Sequence, residues 1–289
     1  MESGSLSMKE LWISMARKSV RELKAEDFRD ENGLAVCGIC GKPMECIRTK
    51  YFNGEAVPLV FGIQCDCEKA ESKAKAEAEA RDEATKKIER LRNLSLMDKR
   101  LADARFESCD VTAENQRVVN LCKRYVAKWE QMEESNQGLL FWGLPGTGKS
   151  HMSACIANAL LERGVFTVMT SCIRLTDLIL NGDETEMAIL GRINRASLLI
   201  LDDIGAERMT DYAIERVYSI VDSRYRACKP LIVTTNLPLD QIRDDADPKM
   251  GRIYSRILEM CYPIHCTGKF RRKAAAERYN LAKELLEEG

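Results

Sequence analysis

Residues 143–150 read Gly-Leu-Pro-Gly-Thr-Gly-Lys-Ser, and the fold follows from this stretch. The spacing is G-x-x-x-x-G-K-[ST], a phosphate-binding loop. Leu139-Leu140-Phe141-Trp142, just before it, is a short apolar run suited to a buried strand. After it, Met152, Cys155, Ile156, Ala159 and Leu160 recur at helical spacing until Gly164. Strand, glycine loop and helix start is the order that phosphate binding needs. Gly143, Gly146 and Gly148 let the backbone come close to an anion, and N–H groups at the helix start point at it. Lys149 is placed to reach outer phosphates and the Ser150 hydroxyl to hold Mg2+. Pro145, Thr147 and His151 complete the stretch expected to touch nucleotide. A chance glycine turn is the bland alternative, and the Lys-Ser ending argues against it.

Working outward, Leu198-Leu199-Ile200-Leu201-Asp202-Asp203 is an aliphatic strand ending in two acids. Such a strand sets a carboxylate beside the loop: Asp202 to hold Mg2+ through water, Asp203 to polarise an attacking water. A helix cap is the competing use of two such acids. Thr234-Thr235-Asn236 ends a further strand, where Asn236 can orient that water, or simply begin a turn before Leu237-Pro238. Arg252 and Arg256 stand four apart on one helical face. An arginine there can offer a planar cation to a neighbouring subunit's phosphate, or make surface salt bridges. Lys269, Arg271, Arg272 and Lys273 form a basic run, usually a solvated face, from which Arg271 could reach bound nucleotide.

Strands expected at 166–170, 197–201 and 230–235 alternate with helices at 174–180, 187–193 and 212–225, with a polar break at 181–185 and a helix over 118–129 ahead of the loop. This alternation predicts an α/β fold, a parallel sheet with helices on both faces.

Upstream lie Cys37-x-x-Cys40 and Cys65-x-Cys67. Between the pairs, Tyr51, Phe52, Val57, Leu59, Val60 and Phe61 flank Asn53-Gly54, a strong hairpin signal. Two knuckles joined by a hairpin read as a zinc ribbon, with four thiolates on Zn2+ and Cys46 as a spare. Free cytosolic thiols are the alternative. Leu11, Trp12, Met15, Val20 and Leu23 suggest one amphipathic helix near the N-terminus, packing on its own domain or binding a partner. Residues 68–92 are rich in Ala, Glu, Lys and Arg and lack Pro and Gly, as a solvated helical linker would. Glu71–Lys75, Glu77–Arg81 and Glu83–Lys87 are spaced i,i+4 in the favourable order. The expected organisation is a zinc-binding domain at 1–67, a charged helical linker at 68–100 and an ATPase domain at 101–289.

The 289 residues are 45% hydrophobic and 31% charged, ordinary for a globular protein. A net charge of −1 gives no global pull toward nucleic acid, so any such contact needs a local basic patch. No apolar run approaches a membrane span, and no basic-then-apolar leader opens the chain, so a cytosolic protein is expected. Of twelve cysteines, Cys122, Cys155, Cys172, Cys228 and Cys261 sit among apolar residues and are expected in the core.

The segment 104–279 resembles the AAA+ ATPases of the bacterial and phage helicase-loader group, DnaC/DnaI-like, and the related IstB transposition helpers. The resemblance rests on Arg105-Phe106, the glycine loop, residues 198–207, Thr-Thr-Asn-Leu at 234–237, Arg-Ile-Tyr-Ser-Arg-Ile-Leu at 252–258 and Gly-Lys-Phe-Arg-Arg at 268–272. The cysteine ribbon resembles loaders with a zinc-binding helicase-interaction domain. The resemblance implies Lys149 and Ser150 as Walker A residues, Asp202 as the Walker B acid, Asn236 as sensor 1 and Arg271 as sensor 2. It implies Arg256 as arginine finger, with Arg252 as rival. It further implies ATP, Mg2+ and Zn2+ as cofactors, and as partners a replicative hexameric helicase, single-stranded DNA and further copies of the chain. Many AAA+ enzymes carry Asp-Glu where this chain has Asp202-Asp203, which points to slow hydrolysis. The other expectations are a transposase helper of the IstB type and a non-hydrolysing ATP-binding adaptor.

Overall fold

The computed structural model describes residues 8–181, 185–205, 210–244, 247–268 and 273–287, without the side chains of 180, 181 and 273–279. The chain divides into two compact units, Met1–Glu83 and Ala84–Gly289.

The first unit begins with α1 (Met8–Ser19), followed by β1 (Phe28–Arg29) paired antiparallel with β2 (Ala35–Val36). The hairpin of β3 (Glu45–Phe52) and β4 (Glu55–Gly62) turns at Asn53 and Gly54, both left-handed at φ 49° and 85°, as a two-residue hairpin turn requires. The amphipathic helix ends earlier than its apolar pattern suggests: Val20 and Leu23 lie beyond Ser19. Trp12 sets its ring edge-on to Phe61 at 6.1 Å, so α1 packs on its own hairpin. Glu45 is the buried polar centre. It accepts from the backbone N–H of Arg21 at 3.0 Å, that of Ala35 at 2.9 Å and the Arg29 guanidinium at 3.1 Å. Burial pushes the Glu45 carboxyl up; the Ala35 and Arg21 amides and Arg29 overcome it and hold the pKa below the usual carboxylate value. The long helix α2 (Asp66–Leu94) has no buried residue, as its charged composition requires.

The second unit continues with α3 (Gln116–Ala127), α4 (Trp129–Glu134), β5 (Gly138–Trp142), α5 (Lys149–Glu162), β6 (Thr167–Ser171), α6 (Cys172–Asn181), α7 (Glu186–Arg195), β7 (Leu198–Asp202), α8 (Asp211–Arg226) and β8 (Leu231–Thr235). It ends with α9 (Leu239–Arg243), α10 (Pro248–Met260), β9 (Cys261–His265) and α11 (Lys273–Glu287). The helix expected over 118–129 breaks after Ala127, and Trp129 starts α4. Of the polar break, residues 182–184 lie outside the described residues. Five strands form one parallel sheet in the order β6-β7-β8-β5-β9.

Alternation along these strands sorts side chains between two cores. Leu140, Val168, Leu199, Leu201, Leu231 and Val233 face one layer with α6, α7, α8 and α10. Leu139, Phe141, Met169, Leu198, Ile200, Ile232 and Ile264 face the other with α3 and α5. The strands are apolar on both sides because both faces are covered.

Arg224 of α8 is 1% exposed and staples the strand beginnings. Its guanidinium donates to the carbonyls of Ala196 (2.6 Å), Ser197 (2.7 Å) and Pro230 (2.6 Å). Cys228 is exposed, against the expectation of a core thiol. It sits at φ 49° as the left-handed residue that ends α8, its N–H donating to Tyr225 while that of Lys229 donates to Arg224. Cys122, Cys155, Cys172 and Cys261 are buried as expected.

Candidate functional site

β5 delivers the glycine loop to the start of α5. Gly143 lies at φ +136°, and a Cβ there would stand 2.5 Å from the Cys266 carbonyl oxygen. Gly148 caps α5 at φ 87°, in the region glycine enters freely. Thr147 Oγ1 donates to the Leu144 carbonyl at 2.9 Å and tightens the loop. Pro145 and Gly146 are exposed at its tip, and Ser150 and His151 are half-buried on the first turn of the helix. Lys149 is buried and folds back. Its Nζ donates to the carbonyls of Gly143 and Leu144, each at 2.8 Å, and to Asn236 Oδ1 at 2.7 Å. Burial lowers its pKa, while Cys266, Asp203 and Asp202 pull the other way.

Asp202 closes β7, and Asp203 follows at φ 61°, a strained position for a side-chain-bearing residue. Two neighbours from β8 and its end fix the pair. Thr234 Oγ1 donates to Asp202 Oδ1 at 2.6 Å and accepts the Asp203 backbone N–H at 2.8 Å. Asn236 Nδ2 donates to Asp203 Oδ1 at 2.7 Å. One hydrogen-bonded line thus runs Lys149–Asn236–Asp203. The structure brings together Lys149, Asp202, Asp203 and Asn236 at the carboxyl ends of β5, β7 and β8, where open α/β sheets bind ligands. Thr234, buried, is the residue that the sequence reading passed over. Its signal was its place one step inside the polar end of an aliphatic strand.

The two arginines of α10 differ. Arg256 forms an ion pair with Asp222 at 2.6 Å, a close charge contact that lacks hydrogen-bond alignment. It also lies over the rings of Tyr218 at 4.7 Å and Tyr225 at 5.8 Å. Arg252, one turn earlier, is exposed and forms no ion pair among the described residues. Arg271 lies outside the described residues, as do Lys269, Arg272, Ala206 and Glu207.

In the first unit Cys37, Cys40, Cys65 and Cys67 place their sulfurs within 4.8 Å of one another. The Cys40 thiol is drawn down to about 6, chiefly by the backbone N–H groups of Cys67 and Lys42. Next to it, the Cys67 thiol is pushed up to about 12, chiefly by its contact with Cys40. Four converging sulfurs at the base of a hairpin are the donor set of a closed structural zinc site. Cys46, on β3, is not among them.

A strand, a glycine-lined loop and a helix start, with two acids on a nearby parallel strand, define a P-loop nucleotide-binding protein of the AAA+ class. The chain belongs to the IstB-like ATP-binding protein family, whose pattern matches residues 70–278. It is 28% identical over 167 residues to the replicative helicase loader DnaC of Escherichia coli K12, covering 56% of this chain and 67% of that protein. It is 26% identical over 204 residues to the replicative helicase loader DnaI of Bacillus subtilis, covering 65% of this chain and 64% of that one. A crystal structure of DnaI superposes with a TM-score of 0.53 at 27% identity, over 63% of this chain and all of that one. That of the DnaC helicase loader gives 0.50 at 26%, over 59% of this chain and all of that one. The chain thus spans about two thirds of these two relatives' lengths. No described helix is long and apolar enough to cross a membrane.

Proposed function

We propose that this chain is an ATP-driven loader that delivers a replicative hexameric helicase onto single-stranded DNA, with residues 101–289 as ATPase domain, 68–100 as linker and 1–67 as the zinc-binding domain that grips the helicase. The observation that carries the reading is the line Lys149–Asn236–Asp203, which ties the phosphate-gripping lysine to the acid facing the attacking water. The helicase as partner is brought by the similarity to DnaC and DnaI.

Bound ATP with Mg2+ supplies the triphosphate and the charge that Lys149, Ser150 and Asp202 would hold. The carbonyls that Lys149 now engages are acceptors that phosphate oxygens replace in kind, and the glycines leave room for them. Asn236 then orients water, and the Asp203 carboxylate accepts its proton. Thr234 keeps Asp202 and the Asp203 backbone in register. The shorter second acid reaches less far than a glutamate, which favours slow hydrolysis suited to a switch. Self-association completes the site with an arginine, and the exposed Arg252 fits that role better than the engaged Arg256. Zn2+ on the four cysteines is structural, and the basic side chains of the ATPase domain hold DNA.

The test mixes the full chain with the host's purified helicase, with and without ATP. Co-elution of a helicase complex that loads onto single-stranded DNA is expected. Family membership favours one second reading, a transposase helper. Recovery of a transposase on duplex DNA, with no helicase bound, would replace the loader by it. ATP binding with no phosphate release under any condition would make the chain an adaptor.

A further inference from the structure

We infer that Cys109, His151 and Cys155 form a second zinc site, on the flank of the helix that grips phosphate and separate from the four-cysteine centre. The three donor atoms lie within 4.8 Å of one another. In a tetrahedral site with Zn–S near 2.3 Å and Zn–N near 2.0–2.1 Å, two sulfurs stand about 3.8 Å apart, and a sulfur and a nitrogen about 3.6 Å. Here Cys109 Sγ stands 3.8 Å from Cys155 Sγ and 3.5 Å from His151 Nε2. Those separations are two edges of the zinc tetrahedron.

The fold presets the geometry. His151 and Cys155 are four apart on α5 and therefore share a face. Cys155 is wholly buried, which fixes that face against the core. Cys109 arrives on the segment before α3, and that segment is pinned. Buried Asn158 of α5 donates to the carbonyls of Leu101 and Ala104, each at 3.0 Å. Phe106 is buried in the same core. Cys109 also donates to the Arg105 carbonyl at 3.2 Å, a bond it gives up as a thiolate.

Three protein donors of the Cys-Cys-His kind leave a fourth corner for water or an exchangeable anion, unlike the closed four-cysteine site. Since His151 follows Ser150 directly, the ion would clamp residues 101–109 to the first turns of the phosphate-gripping helix. The proposal stands apart from the loader reading, because its test needs neither ATP nor helicase.

The full chain, purified reduced and loaded with Zn2+, is dialysed and its metal counted by mass spectrometry. Two zinc ions per chain are expected, and Cys109→Ser with an unchanged circular dichroism spectrum should retain one. Cobalt substitution of the unmutated chain gives a second readout independent of any variant's folding. Six thiolates in place of four raise the thiolate-to-cobalt absorbance about one and a half times. One zinc in the unmutated chain, two in Cys109→Ser, cobalt absorbance at the four-thiolate level, or a Cys109–Cys155 disulfide persisting in reductant would each overturn the site.

Discussion

Arg256 and Arg252 are expected to separate stability from catalysis. Arg256→Ala removes a part-exposed ion pair to Asp222, worth up to about 1 kcal/mol after solvent screening. It also removes a guanidinium over Tyr218, worth about 0.5–1 kcal/mol, and the packing of the side-chain stem. Asp222 keeps Arg226, whose Nε lies 2.8 Å from Oδ2, so no charge is orphaned. The expected loss is about 2 kcal/mol, well under the cost of breaking a buried pair. For a unit of this size that lowers Tm by about 4–8 °C. Arg252→Ala should change stability by less than about 0.5 kcal/mol and cut hydrolysis in the assembled state by about a thousandfold, as loss of an arginine finger does. Thermal unfolding followed by circular dichroism, and phosphate release with helicase and single-stranded DNA, read the two effects. An Arg256→Ala chain that melts normally but no longer hydrolyses, beside a fully active Arg252→Ala chain, would refute the reasoning.

Lys149→Ala should weaken ATP binding at least about a hundredfold, seen by titration of a fluorescent nucleotide, since a buried cation on the phosphates is lost. Thr234→Val removes the donor to Asp202 and the acceptor of the Asp203 N–H. Hydrolysis should fall about tenfold with ATP affinity retained; equal loss of both would mean that Thr234 only supports the fold. The pKa of Glu45 is depressed by folding, so its contribution is complete above its unfolded value of about 4.3 and fades as pH falls through the folded value. Glu45→Gln should cost the first unit about 1–3 kcal/mol near neutrality and flatten its acid transition, followed by urea unfolding at several pH values. In the chain loaded with Zn2+, chelation should open the hairpin beside Cys37, Cys40, Cys65 and Cys67 to protease while nucleotide still binds; an unchanged digest would leave those cysteines without a structural metal.

The parts legible in the sequence were those whose chemistry is local. The glycine loop, the aliphatic strand ending at Asp202 and the paired cysteines each carry their signal within a few residues. β9 was not legible. Cys-Tyr-Pro-Ile-His carries a proline that argues against a strand, yet it sits at the sheet's edge, where one missing N–H is tolerated. The engagement of Arg256 was hidden for a different reason, since its partners Asp222 and Tyr218 belong to another helix. Cys109 and His151 are 42 positions apart, so only the pinning of the segment before α3 shows that they meet. Cys228 misled because the apolar run that begins at Leu231 suggested burial where a helix had to stop.

The guanidinium of Arg224 sits at the opposite margin of the sheet from the nucleotide loop, and although burial lowers its pKa to about 10 it stays charged near neutral pH. A fastening of that kind, clasping the roots of β7 and β8, works like the spine of a book. The far margin has no such clasp among the described residues: there Asn236 alone joins the lysine after one strand to the acid after another.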